Sequence, residues 1–392
     1  MTIIAAVGQA QALDAREAGL QAAHQALSGL GSISPVLGIV IAPHRLDPQL
    51  VASGVTSLFA NMPLVGFSSS AGLTKMGMHP HAVVVAFIGG DDIQAESHWF
   101  PAYSQASAET AMRIIQLLGY EQQRPAESVL VFADGLNGNA EEFCAALPAN
   151  MPLIGGLSSG DVQSQSSYQI AGTQSGMGGM AAAFLRGNIK VGIGYGHGWY
   201  PVGSRFRVTR SRGFWVRTLN GQPASESYSH MFGRPAREWS LPPLNYLTRI
   251  YPLGFEQANT DQLLVRSPVR VEADGSFRMN AVLRDGSDGY LLIGSPADCY
   301  SAARQAAQDA LTTLGQAAKP AFALVLIDTA WQTLLEANPG SEIQAIREVL
   351  GEELPIAGGY TLGQIVPAGE NEEHPGFLNQ HIVVAVFAER KD

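Results

Sequence analysis

The residue with the clearest capacity for chemistry is His197, in the run GYGHGWYPVG at residues 194–203. A neutral imidazole near pH 7 can bind a metal ion, and its other ring nitrogen then needs a hydrogen-bond partner. The neighbouring glycines would let a flat ring approach the backbone, and an unbroken strand over 191–200 would place Tyr195, His197 and Trp199 on one face. A histidine held by hydrogen bonds within a sheet, where a strand ends and turns, fits the same pattern.

A second candidate site follows the strand-like segment MPLIGG, where Ser158, Ser159 and Asp161 occur together. Ligands of layered α/β proteins often bind beyond the ends of strands, where small polar side chains line a cleft. These three residues therefore predict a ligand site, although a plain turn would also explain them.

No catalytic motif accompanies these candidates, so the sequence predicts a protein that is not an enzyme. The turns GFSSSAG and GGLSSGD lack the G-x-S-x-G arrangement that exposes a nucleophilic serine. No phosphate-binding glycine loop follows a strand, and DGSDG lacks the later acidic residue of a calcium loop. His79 and His81 form a pair that has no third metal ligand at a telling spacing.

The composition excludes several classes of protein. Hydrophobic residues make up 46% of the 392 residues and charged residues 15%, which predicts two or three well-buried domains. The net charge of −10 and the absence of basic runs argue against binding to nucleic acid or an anionic membrane. Two cysteines without close spacing exclude a disulfide framework. Neither a basic signal segment nor an apolar run of about 20 residues occurs, which predicts a cytoplasmic protein.

One short segment occurs in three similar copies, here called the echo segments: MPLVGF, MPLIGG and LPIAGG, at residues 62–67, 151–156 and 354–359. Each follows an apolar strand and a helix-like stretch, and each precedes a further apolar strand. An amphipathic helix is also predicted before each group, over residues 12–27, 104–119 and 298–315. The order predicts three repeated helix-strand-helix-strand-strand units in an α/β (mixed α+β) fold of layered sheets with flanking helices.

The region between residues 190 and 296 differs from the repeats, because it is β-rich and has a proline-rich middle. A turn signal at Leu219-Asn220-Gly221 predicts a boundary between an N-terminal domain, 1–218, and a C-terminal domain, 219–392.

The chain resembles the FIST sensory family, with an N-terminal and a C-terminal FIST domain in one chain. The resemblance is carried by GFSSSAG, MPLIGGLSSGD, GIGYGHGWYPVG, RTLNGQPASESY and LPIAGGYTLGQI, in that order. It implies a bacterial signal-transduction sensor of a small ligand. Because no kinase or cyclase segment is present, the resemblance implies signalling through a separate sensor histidine kinase or cyclic-di-nucleotide enzyme, with a homodimer as one arrangement.

A subgroup of stand-alone FIST proteins binds haem and senses nitric oxide, and its signature is a histidine followed four residues later by proline. His197 and Pro201 have this spacing here. The resemblance therefore implies haem iron bound by His197, with Tyr195, Trp199 and Pro201 around the cofactor. Arg205 and Arg207 would pair with the haem propionates, since guanidinium groups match carboxylates well.

The alternative within the same family is a receptor for an amino acid or a similar small ligand, without haem. Ser158, Ser159 and Asp161 would then hold its carboxylate or amino group. A module that binds partners and no ligand remains a third possibility.

Overall fold

The computed structural model describes residues 3–59, 61–120, 125–160, 166–257, 260–370 and 372–390. Three units of one topology form its centre, and a separate β-rich domain is inserted into the third. Among the described residues, no helix is both long and apolar enough to cross a membrane.

Four strands of the first unit lie side by side in the order β1-β6-β2-β3, of which β2 and β3 run parallel and the others antiparallel. Its elements are β1 (Ile4–Ala10), α1 (Ala15–Leu30), β2 (Pro35–Pro43), α2 (Pro48–Thr56), β3 (Leu64–Ser69), β4 (Gly72–Thr74), β5 (Gly77–His79) and β6 (Val83–Gly89). Asp14 and Asp47 begin the two helices by accepting hydrogen bonds from first-turn amides, which satisfies donors that have no partner within the helix.

The second unit repeats this topology with strand order β7-β12-β8-β9. Its elements are β7 (Ile93–Phe100), α3 (Ser107–Tyr120), β8 (Ala126–Asp134), α4 (Ala140–Ala145), β9 (Leu153–Ser158), β10 (Gln169–Ala171), β11 (Gln174–Gly176) and β12 (Met180–Gly187).

The third unit begins at β13 (Ile189–Gly196) and is then interrupted by the inserted domain, residues 199–294. That domain has its own sheet around a core that includes Tyr228, Trp239 and Phe277. Its elements are β14 (Trp199–Arg212), β15 (Trp215–Leu219), β16 (Gln222–Pro223), α5 (Ala224–Phe232), α6 (Leu244–Leu247), β17 (Leu253–Gln257), β18 (Thr260–Arg266), β19 (Pro268–Val271), β20 (Phe277–Met279) and β21 (Asp288–Gly294), with 3₁₀ turns at Ala236–Ser240 and Thr248–Ile250.

After the insertion the chain completes the third unit, whose strand order β13-β25-β22-β23 is the same as in the other two. Its remaining elements are α7 (Pro296–Leu314), β22 (Pro320–Asp328), α8 (Thr329–Leu334), α9 (Ser341–Leu350), β23 (Ile356–Val366), β24 (Gly376–Leu378) and β25 (Ile382–Glu389). The predicted repeat is confirmed, and the structure adds to each unit one strand before the first helix.

The 6-stranded and 11-stranded sheets pack face to face, and the helices cover their outer faces. Strand β22 shows why its sequence is apolar throughout: Leu324 and Leu326 face the core between the sheets, while Val325 and Ile327 face the helices. Strands buried on both faces lack a polar side and read as continuous apolar runs. The predicted mixed α+β fold of layered sheets with flanking helices is thus confirmed.

The units are joined through strands near their echo segments. Strand β3 of the first unit pairs with β10 of the second, β9 of the second pairs with β23 of the third, and β23 pairs with β4 of the first. The domain boundary predicted after residue 218 remains a prediction. In the structure it lies within the sheet of the inserted domain, while β13 before it belongs to the third unit.

Candidate functional site

Two glycines near His197 let helix α7 pack closely against the backbone, where the sequence suggested room for a flat ligand. A Cβ atom at Gly194 would lie 2.0 Å from the Ala306 carbonyl oxygen of α7, and one at Gly198 would lie 2.5 Å from the Cys299 nitrogen. Helix α7 therefore fills the space next to this backbone that the sequence suggested for a porphyrin. The same packing recurs in the first unit, where Gly8 of β1 faces α1.

His197 lies in a break between two strands, because β13 ends at Gly196 and β14 begins at Trp199. Tyr195 and His197 both lie beside His381, with ring-centroid distances of 6.2 and 4.7 Å. Trp199 instead packs against Trp331 in the core under α7. The expectation that all three residues share one face is therefore wrong, because the strand is not continuous through His197.

Pro201 is exposed and pairs with Leu292 in the inserted domain. The two arginines considered for propionates are already ion-paired, Arg205 with Glu256 and Arg207 with Asp288. Of the side chains expected around a cofactor, only Tyr195 accompanies His197, and 42% of its surface is exposed.

The hydrogen bonding of His197 does not suit an iron ligand. The Trp199 amide donates to Nδ1 at 3.2 Å, which favours the neutral tautomer with its proton on Nε2, and burial lowers the pKa of His197. A ligating nitrogen must offer a free lone pair, which neither nitrogen has in that tautomer. The residues present do not fit a haem in this conformation.

Ser158 and Ser159 are buried where the three units meet. The Ser158 hydroxyl donates to the Ala133 carbonyl at 3.1 Å, and the Ser159 hydroxyl donates to the Tyr360 carbonyl of the third unit at 2.7 Å. Ser69 of the first unit donates to the same Tyr360 carbonyl at 3.1 Å. The Ser159 and Ser69 hydroxyls thus connect units, whereas the Ser158 hydrogen bond lies within the second unit. The role of Ser158 and Ser159 in ligand binding remains a prediction. Asp161 lies outside the described residues.

A cleft of about 200 Å³ opens a short distance away, between the second unit and the inserted domain. Its floor is the loop after β8, where Asp134 accepts hydrogen bonds from the amides of Leu136, Asn137 and Gly178 at 2.7, 3.0 and 2.6 Å. The cleft thus lies at the carboxyl end of a parallel strand pair, the position typical of ligand sites in α/β proteins.

The opposite wall comes from the inserted domain and carries the cationic groups. Arg278 reaches across the cleft to the Leu136 carbonyl at 3.4 Å, and its guanidinium carbon lies 5.3 Å from the centre of the Trp215 ring. Burial, with Arg270 nearby, lowers the pKa of Arg278, which nevertheless stays charged near neutrality. No carboxylate in the described part of the chain forms an ion pair with Arg278, so its charge is only partly compensated.

Asn280 adds an acceptor to the same wall. Its Nδ2 donates to the Leu362 carbonyl at 2.8 Å, while its Oδ1 is buried without a hydrogen-bond partner among the described residues. Sequence reasoning missed Asn280 and Arg278, because nothing local marks them as neighbours of residues 134–138. An aspartate at the end of an apolar strand, followed by GLNGN, was the one available signal.

Comparison with known proteins gives the family of this chain. The FIST N domain matches residues 36–222 and the FIST C domain matches residues 224–367. The chain belongs to the FIST family, whose domains are associated with the sensing of small ligands in signalling.

Other comparisons add little. No curated protein matches the chain. Two solved structures of cyanuric acid hydrolase, one of them from A. caulinodans, are similar at 9% and 10% identity with TM-scores of 0.36 and 0.38. Each alignment covers 99% or more of this chain and 100% of the other. Likeness at that level does not bear on function.

Proposed function

We propose that this protein senses a small molecule of amino-acid size and chemistry, bound in the cleft between the second unit and the inserted domain. The observation that carries the proposal is the Arg278 guanidinium, which lines the cleft without a carboxylate partner in the described structure. A ligand carboxylate would supply the missing charge through a bidentate hydrogen-bonded pair.

The second group of an amino acid also has a counterpart. The unpartnered Oδ1 of Asn280 would accept a hydrogen bond from an ammonium group, and a buried acceptor gains most from such a bond. Size supports this ligand class as well, because pockets for drug-sized molecules enclose roughly 300–1,000 Å³ and this cleft is smaller. It is too small for a porphyrin.

The cleft also explains how binding would become a signal. Its two walls belong to different parts of the fold, so a bound ligand would hold the inserted domain against the second unit. A ligand that prefers one relative position shifts the population toward it. A separate signalling protein, such as a histidine kinase or a cyclic-di-nucleotide enzyme, would then read the change.

A thermal-shift screen of the amino acids and small dicarboxylates tests the proposal. A ligand at one hundred times its Kd stabilises the folded state by about 2.7 kcal/mol, so a specific ligand raises the melting temperature measurably. Arg278→Gln should abolish that rise, whereas Arg234→Gln, at an exposed arginine of the same domain, should leave it unchanged. The proposal is overturned if no compound raises the melting temperature, or if the rise survives in a folded Arg278→Gln protein.

A further inference from the structure

A second feature of the inserted domain is a row of side chains across four strands. Arg212 of β14 is paired with Trp215 of β15, Trp215 with Arg278 of β20, and Arg278 with Arg270 of β19. Residues directly opposite in paired strands project from the same face of a sheet. One face therefore presents an indole with arginines on both sides.

The outer half of this row forms an open groove of about 690 Å³. Its lining residues are Arg212, Gly213, Trp215, Arg217, Glu272, Ala273, Asp274 and Ser276. Trp215 is 37% exposed, although large aromatic side chains are normally buried. Gly213 has no atom within 4 Å of its Cβ position, so the space beside the indole is open.

The charges of the groove are unevenly compensated. Glu272 accepts hydrogen bonds from Arg270 Nε at 2.9 Å and from Trp215 Nε1 at 3.4 Å. Asp274 accepts from the amide and the hydroxyl of Ser276 at 3.0 and 2.6 Å. The hydrogen bonds from Ser276, and after them the charge of Arg217, lower the pKa of Asp274, so Arg217 is partly compensated by this carboxylate. Neither Arg212 nor Arg217 forms an ion pair within the described residues.

The same imbalance extends over the whole inserted domain. Residues 199–294 contain 12 of the 24 basic residues of the chain but only 8 of its 34 acidic residues. The chain as a whole is strongly acidic, so this domain is where an anion would be attracted.

We propose that this groove binds a nucleoside phosphate. The base would stack on the Trp215 indole, and the phosphate would lie between Arg212 and Arg217. Bases stack readily on exposed aromatic rings, and guanidinium groups bind phosphate oxygens in a fork. One ligand then uses both the indole and the two arginines, and a mononucleotide fits within a groove of this volume. A purely acidic ligand would leave the exposed indole without a function.

Calorimetry with AMP as the probe tests this site. Adenosine, which lacks the phosphate, and ribose 5-phosphate, which lacks the base, are the comparison ligands. AMP should bind at least about tenfold more tightly than either half, because stacking and phosphate contacts each contribute. Trp215→Leu should weaken AMP binding about tenfold or more, and AMP affinity should fall as salt rises. The double variant Arg212→Gln/Arg217→Gln should abolish binding, and Arg234→Gln should leave it intact.

The site is overturned if AMP does not bind, if ribose 5-phosphate binds as well as AMP, or if the double arginine variant still binds it. Circular dichroism and melting temperature identify a variant that has failed to fold. This site does not depend on the ligand of the cleft, because the double variant keeps Arg278 and should still respond to the ligand found in the thermal-shift screen.

Discussion

The imidazoles of His197 and His381 meet edge to face, with ring centroids 4.7 Å apart, where the end of β13 lies beside the start of β25. Each ring is fixed by a backbone contact: His197 Nδ1 accepts from the Trp199 amide, and His381 Nδ1 donates to the Asn379 carbonyl at 2.6 Å. The pair lies where the third unit is rejoined after an insertion of about one hundred residues.

The arrangement at His197 predicts the outcome of adding haem. Because Nδ1 already accepts a hydrogen bond and the proton lies on Nε2, the ring should not bind iron. Titration with haem should give the same absorption spectrum for the wild-type protein and for His197→Ala. A Soret band that appears in the wild type and disappears in the variant contradicts this prediction and restores the haem-based nitric oxide sensor.

The stability of the protein should depend on pH through His381. Burial, together with the nearby charges of His197 and Arg266, lowers the pKa of His381 from 6.5 to about 3. The unfolded chain therefore binds one proton more than the folded protein between those values. The stabilisation from neutral His381 is fully present above about pH 6.5 and is lost as pH falls toward 3, at up to about 1.4 kcal/mol per pH unit.

Urea unfolding at several pH values measures this effect. Between about pH 3 and 6.5, the slope of the unfolding free energy against pH should be smaller in His381→Gln than in the wild type. The difference should correspond to about one bound proton, or about 1.4 kcal/mol per pH unit. His197 also has a lowered pKa from burial and contacts His381, so the difference between the two proteins reports the titration of His381 together with its effect on His197. Identical slopes would show that His381 does not titrate in this way.

The glycine run of β13 should be intolerant of a methyl group where α7 passes closely. Gly194→Ala would place its Cβ 2.0 Å from the Ala306 carbonyl oxygen and should lower the free energy of unfolding by about 1–3 kcal/mol or more. Gly196→Ala is the matched control, since its nearest atom is the Ala302 carbonyl oxygen at 3.5 Å. Neither glycine has a positive φ angle, so the comparison measures packing alone. Equal unfolding free energies for the two variants would be inconsistent with this explanation.

Asp134 should stabilise the loop after β8, which lines the floor of the cleft. Its two carboxylate oxygens accept from three backbone amides, and an asparagine side chain offers only one oxygen. Asp134→Asn should therefore lower the free energy of unfolding by about 1–3 kcal/mol and speed hydrogen exchange at the Gly178 amide. Asp91→Asn, at an exposed aspartate, should change neither quantity. Unchanged exchange at Gly178 in Asp134→Asn would mean that the carboxylate does not fix this loop.

Much of the fold could be predicted from local patterns, because each repeated unit carries its own signals. Strand β22 is apolar along its length because both of its faces are buried. The segments MPLVGF, MPLIGG and LPIAGG mark the equivalent strand in each of the three units. Asp328, at the end of β22, accepts from the Ala330 and Gln380 amides, much as Asp134 acts at the end of β8.

The sites were less predictable, because they depend on residues that are far apart in the chain. Arg278 reaches the Leu136 carbonyl across a separation of 142 residues. The glycine and aromatic neighbours of His197 mark it in the sequence, but the break in the strand at residues 197–198 and the hydrogen bond to its Nδ1 follow only from the structure.

The sequence by itself determined the three repeats, their helices and apolar strands, and the FIST family, since periodicity and motifs are properties of neighbouring residues. Tertiary structure alone decided that β13 pairs with β25 across the insertion, that α7 fills the space over its glycines, and that Arg278 faces the loop after Asp134. The physical reason is that pairing and burial between distant segments are set by the packing of the whole chain, on which a local pattern carries no information.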